Sequence, residues 1–153
     1  MKNAWFIAAR ILLGLMFVVF GINGFVPFVP YPPSIPQNAM TFLGVMVQSH
    51  FSYFVFGVQL LSGLLLLVNR FVPLAVVTLA AVIANIIAFH ITMWPASLIP
   101  MPLVVTILWF VVAWRVRDHL NPLLSARTEP AVIGSREHWT ASPDSDDALS
   151  PNG

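Results

Sequence analysis

The 153-residue chain has no cysteine, which excludes disulfides, thiolate metal sites, iron–sulfur clusters and redox-active thiols. It also has no carboxylate before Asp118: the acids are Asp118, Glu129, Glu137, Asp144, Asp146 and Asp147. The first 117 residues therefore lack the groups on which most intramembrane proton relays depend. Charged residues make up only 8% of the chain, against 58% hydrophobic and a mean hydropathy of +0.85, the profile of an integral membrane protein of one domain. Glycine-rich phosphate loops, metal triads and nucleophile constellations are missing, so an autonomous hydrolase or kinase is not expected, and no catalytic or metal-ligating residue is assigned. Nothing resembles a basic nucleic-acid surface.

What the chain has is long apolar runs. A bilayer core of about 30 Å requires roughly 20 apolar residues per helix, and four segments meet or approach this: 5–25, 51–68, 71–93 and 98–116. The second could begin earlier, since 42–47 is also apolar. The first is expected to be an uncleaved spanning helix rather than a signal peptide, because Arg10 interrupts its apolar run and "GINGFVPFVP" offers no small-x-small cleavage site. The expected fold is all-α: a four-helix integral membrane bundle over residues 1–117 and a polar tail over 118–153.

Lys2, Arg10, Arg70, Arg115 and Arg117 fall at the start of the first segment, in the "VNRFVP" turn or at the end of the fourth, whereas the connections after the first and third segments hold neither Lys nor Arg. This asymmetry puts both termini in the cytoplasm. The connection "VPFVPYPPSIPQN" contains five prolines and suits an extended path at headgroup level across the outer mouth of the bundle. The tail, with two arginines against six acids, is Ser/Pro/Asp-rich and expected to be disordered.

Polar side chains within the apolar runs are costly and generally face a helix bundle's interior. Ala75, Thr78, Ala81, Asn85, Ala88 and Thr92 recur at steps of three or four and form a single stripe, read as a helix-packing face. Arg10, Gly14, Phe17, Gly21 and Gly24 do the same in the first segment, where glycines permit close helix approach. Ser52, Gln59, Ser62 and Gly63 follow more loosely in the second, and the fourth offers little beyond Thr106. Asn85 and Gln59 read first as interhelical hydrogen-bonding groups, worth about 0.6 kcal/mol each. Arg10 is divided between snorkelling to the inner headgroups and lying in a polar interior. His90 lies about 140° around an ideal helix from Asn85, beside Trp94 and near Asn23 by depth. It suits either an interfacial aromatic belt or a ligand site beneath the proline-rich connection. His50 begins the second segment on the same side, but no spacing motif supports haem held by this pair.

The stretches "ARILLGLMFVVFGINGF", "GVQLLSGLLLLVNRFVPLAVVTLAAVIANIIAFHITM" and "VAWRVRDHLNPLL" together resemble the DoxX and DoxX-like family of small bacterial membrane proteins over about residues 5 to 124. The resemblance implies a four-helix protein of the inner membrane, with Arg10, Asn23, Gly63, Asn69, Arg70, Pro73, Asn85 and His90 as the family-like residues. It also implies association with membrane redox or thiol-stress complexes, the family being named for a subunit of a thiosulfate:quinone oxidoreductase. Gln59 stands where relatives commonly carry glutamate, keeping the hydrogen-bonding shape without the charge.

The leading expectation is thus a non-catalytic or accessory membrane subunit of a redox-linked complex. Arg10, Gln59 and Asn85 would bind a quinone or lipid headgroup in the interior, with Asn23 and His90 toward the outer mouth. Its partners would be the bilayer and redox subunits, and a homo-oligomer is allowed. The rival expectations are a carrier for a lipophilic molecule or lipid, with the glycine face of the first helix as one wall, and a purely structural membrane partner.

Overall fold

A computed structural model of the protein describes residues 2–121, all of whose regular structure is helical. The expected disorder of the tail concerns residues that, beyond Asn121, lie outside those described. The elements are α1 (Lys2–Phe25), α2 (Gln37–Gln48), α3 (Phe51–Leu67), α4 (Val72–Met93), a 3₁₀ turn (Pro95–Ser97) and α5 (Met101–Leu120). α1, α3, α4 and α5 fall on the four apolar segments, with α5 running past the 117/118 boundary suggested by composition.

Among the described residues, two helices are long and apolar enough to cross a membrane, Ala4–Phe25 and Val72–Met93. α3 has 17 residues and by itself measures about 25 Å, short of a full bilayer core. It reaches spanning length only if joined to α2, from which it is bent by 88°. α5 has 20 residues, but Arg115, Arg117 and Asp118 fall within every 18-residue stretch of it.

α1 packs against α3 and α5, and α4 packs against the same two helices from the other side. The α1–α3 seam is the closest contact. A Cβ on Gly14 would lie 3.0 Å from the Gly63 carbonyl oxygen, one on Gly63 would lie 2.9 Å from the Gly14 oxygen and the Val18 nitrogen, and one on Gly21 would meet Leu60 backbone at 2.9 Å. Gly24 accommodates the Phe56 ring, which occupies the space of any side chain there. The three- and four-residue spacing of these glycines places them on the buried face with Arg10 and Phe17. Backbone approach of this kind gains dispersion contacts, the main source of helix association where lipid is as apolar as leucine. Behind the seam, Leu13, Phe17, Leu66, Ala75, Val76, Leu79, Ile83 and Val112 form the fully enclosed core.

The α3–α4 turn is closed by backbone chemistry. Asn69 adopts φ 55°, a left-handed conformation that asparagine tolerates, and the Arg70 N–H reaches back to the Leu65 carbonyl at 3.1 Å. Pro73 in the first turn of α4 gives up an N–H that has no helical acceptor there.

α2 is a separate element that the continuous apolar reading of 42–47 did not distinguish. His50 takes φ 60° between α2 and α3 and turns the chain through nearly a right angle. Ala39, Leu43 and Met46, at helical spacing, face inward, while Phe42, Val45 and Val47 stay exposed.

Replacing Gly63 by Ala should destabilise the protein by about 1–3 kcal/mol, because the methyl meets backbone that cannot move aside. Gly44 has open space around it, and Gly44→Ala should be neutral or stabilise by about 0.5–1 kcal/mol. Unfolding of both variants in detergent tests this; Gly63→Ala no less stable than Gly44→Ala contradicts the tight seam.

Candidate functional site

α2, α3 and α4 enclose a groove of about 810 Å³. Phe42, Leu43 and Met46 line it from α2, and Phe54, Val55, Val58 and Gln59 from α3. α4 contributes a long wall that includes Thr78, Ala81, Asn85, Ala88, His90 and Thr92. The volume lies in the range of small-molecule sites, and among its lining residues there is no Lys, Arg, Asp or Glu.

The small-residue stripe of α4 therefore has a different role along most of its length from the packing face expected of it. Ala75 is buried, but Ala81, Asn85, Ala88 and Thr92 are exposed and line the groove. Small side chains here leave space rather than bring another helix close. The 140° between Asn85 and His90 does not separate them, because α2 packs alongside the C-terminal part of α4, with the Phe42 and Phe89 rings tilted together at 5.8 Å between centroids, and more of that helix's circumference faces the groove.

Each polar group on this wall bonds to its own helix. Asn85 Nδ2 donates to the Ala81 carbonyl at 2.9 Å, Thr92 Oγ1 to that of Ala88 at 2.7 Å, and Thr78 Oγ1 to that of Leu74. His90 Nδ1 lies 2.7 Å from the Ile86 carbonyl. A carbonyl can only accept, so Nδ1 carries a proton; the His90 ring also stacks on Trp94 at 6.5 Å.

Gln59 differs from these. It is 6% exposed, lines the groove from α3, and its amide has no hydrogen-bond partner among the described residues. Ser52, Ser62 and Gly63 are buried with it along α3, so the loose pattern of the sequence corresponds to an inward face. Counting away from the α3–α4 turn places Gln59 near the level of Ala81, with Asn85 about 6 Å and His90 about 13 Å farther toward the end of α4.

The structure brings together Gln59, Asn85 and His90, and places Arg10 and Asn23 elsewhere. The Arg10 guanidinium is 7% exposed, and its Nη1 donates to the Leu66 and Leu67 carbonyls. It neither snorkels nor joins the groove; it satisfies the C-terminal carbonyls of α3, where a helix end also favours positive charge. Its Nε is buried without a partner among the described residues. Asn23 Oδ1 accepts the N–H groups of Phe28 and Val29 at 2.9 and 2.7 Å, which fastens the proline-rich connection to the end of α1. Both residues have structural duties that account for their positions.

Two features escaped sequence reading. Trp109 Nε1 donates to the Val76 carbonyl at 2.9 Å, joining α5 to α4, and α2 supplies one wall of the groove. The first had no signal beyond a tryptophan in an apolar run. The second was signalled by Ala39, Leu43 and Met46 at helical spacing.

Comparison with known protein families, curated proteins and solved structures finds no match for this chain.

Arg10→Ala should cost about 2–3 kcal/mol of stability, from the lost charge-assisted hydrogen bonds and the space left behind, without changing the affinity of any groove ligand. Thermal unfolding alongside a binding titration checks both parts. A large loss of affinity in a folded Arg10→Ala protein would return Arg10 to the site.

Proposed function

We propose that this is a DoxX-like multi-pass protein of the cytoplasmic membrane that binds a lipophilic molecule in the groove and serves as a membrane subunit of a redox-linked complex, with a quinone as the expected ligand. In this reading α1, α3, α4 and α5 form a membrane-embedded four-helix bundle with both termini cytoplasmic. Support for the orientation comes from charge: Arg10, Arg70, Arg115 and Arg117 lie toward one end of the helices, and the end carrying α2 has neither Lys nor Arg. Trp5 and Trp114 are exposed at the basic end, and Phe28, Tyr31 and Tyr53 at the other, as suits two membrane interfaces.

The observation that carries the binding role is the groove itself, apolar around a Gln59 amide that faces it and has no partner among the described residues. That amide borders the groove rather than being sealed from it, so a polar head group in the groove can take up its donor and acceptor sites. The absence of charge from the lining favours a neutral head over a phosphate or carboxylate. A carrier using the glycine face of α1 as one wall loses support, since Gly14 and Gly21 are buried against α3.

Titration of the detergent-purified protein with a short-chain ubiquinone, read by quenching of tryptophan fluorescence, tests the proposal. Saturable binding is expected, weakened about tenfold by Gln59→Leu or Asn85→Leu, the effect of one hydrogen bond, and less by His90→Leu, since His90 lies about 13 Å from the level of Gln59. Affinity unchanged in all three variants would remove these residues from the site.

A further inference from the structure

The hydrogen-bonding state of the groove narrows the ligand class, an inference that rests on the binding role just proposed. The polar groups of α4 have directed donors to their own helix and kept acceptors. Thr78 and Thr92 each donate a hydroxyl proton to a carbonyl four residues back and retain oxygen lone pairs. Asn85 uses one N–H on Ala81 and retains its Oδ1 and a single N–H. In the tautomer whose only ring proton sits on Nδ1, facing the Ile86 carbonyl, His90 Nε2 is an acceptor. Along α4 the groove therefore offers four acceptor sites against one free N–H. Gln59, on the facing helix, offers one acceptor and two donors from an amide that borders the groove.

We propose that the groove selects a neutral lipophile whose polar end is a hydroxyl, phenolic or alcoholic, over the same skeleton ending in a group that only accepts. A hydroxyl can accept from the Gln59 amide and donate to a lone pair on Thr78 or Asn85, the two α4 acceptors within about 6 Å of its level, whereas His90 and Thr92 lie too far along the groove to share it. An ether or ketone can be served by Gln59 and the single Asn85 N–H, leaving the acceptors of α4 unmatched. Ionised heads are disfavoured because the lining supplies no counter-charge. The hydroxyl lies at the depth of Gln59, with the apolar body extending past Phe54, Ala88 and Phe42 toward α2. Dihydroxy-arenes, the reduced forms of quinones, belong to this class, so the quinone of the proposed function would be held more tightly in its reduced form than in its oxidised, accept-only form.

The test compares 4-nonylphenol with its methyl ether, 4-nonylanisole, which differ in the hydroxyl proton and little else. Binding of each to the full chain in lipid nanodiscs is measured by equilibrium dialysis, with empty nanodiscs subtracted for partitioning. The phenol is expected to bind about tenfold more tightly, as one matched hydrogen bond in an apolar site provides. Gln59→Leu should reduce the difference to less than about threefold, and Ala81→Phe, which fills the groove from an exposed wall position, should abolish saturable binding of both. Equal affinity of the two probes for the unaltered protein overturns the hydroxyl preference while leaving groove binding intact. No saturable binding of either overturns the preference and the binding role together. A phenol preference undiminished in both variants places the hydroxyl outside the groove.

Discussion

The close approach of Gly14 to Gly63 is the constraint around which the molecule is built. With backbone against backbone, α1 and α3 are fixed in register along Gly14, Gly21 and Gly24, and neither helix can slide without bringing Leu60 or Phe56 into a main chain. That register puts Arg10 level with the last turn of α3, where its guanidinium satisfies carbonyls that a helix end leaves open. It also turns Ser52, Gln59 and Ser62 inward. The groove follows, because α3 is committed to α1 on one face and meets α4 and α2 on another, and small residues on α4 leave the intervening space unfilled.

A second regularity is how polar groups are managed in an apolar setting. Thr78, Asn85, His90, Thr92 and Thr106 each turn back to a carbonyl of the preceding helical turn, which meets their main hydrogen-bonding need locally. Trp109 and Arg10 are exceptions that tie helices together. Gln59 is an exception without a protein partner among the described residues, and its position on the wall of a charge-free groove is why a ligand is the most economical account of it.

Much of the helical framework was legible in the sequence, and the reasons are local. The spacing of Arg10, Gly14, Phe17, Gly21 and Gly24 identified a packing face because helical periodicity alone decides which residues share a side. Asn69 and Pro73 marked a turn through backbone preferences that need no tertiary context. The site was less legible because periodicity says which residues share a face and not what the face meets. Asn85 and its alanines formed a stripe equally suited to a neighbouring helix or to a void, and only the placement of α2 and α3 decides between them. Arg10 resembled a ligand residue because its acceptors, 56 and 57 residues away, leave no trace in its own segment. The bend at His50 falls at the short polar break Gln48-Ser49-His50 between two apolar stretches, and a non-glycine residue at positive φ gives no warning there of how sharply the chain turns.

The central claim is that the space between α2, α3 and α4 is occupied by a small lipophilic molecule when the protein is in its membrane. Mass spectrometry of lipid extracts from natively purified protein, compared with the Ala81→Phe variant, tests this most directly. The account predicts a neutral lipophile recovered at about one molecule per chain from the unaltered protein and absent from the variant. The same lipids recovered from both, in the same amounts, would contradict it.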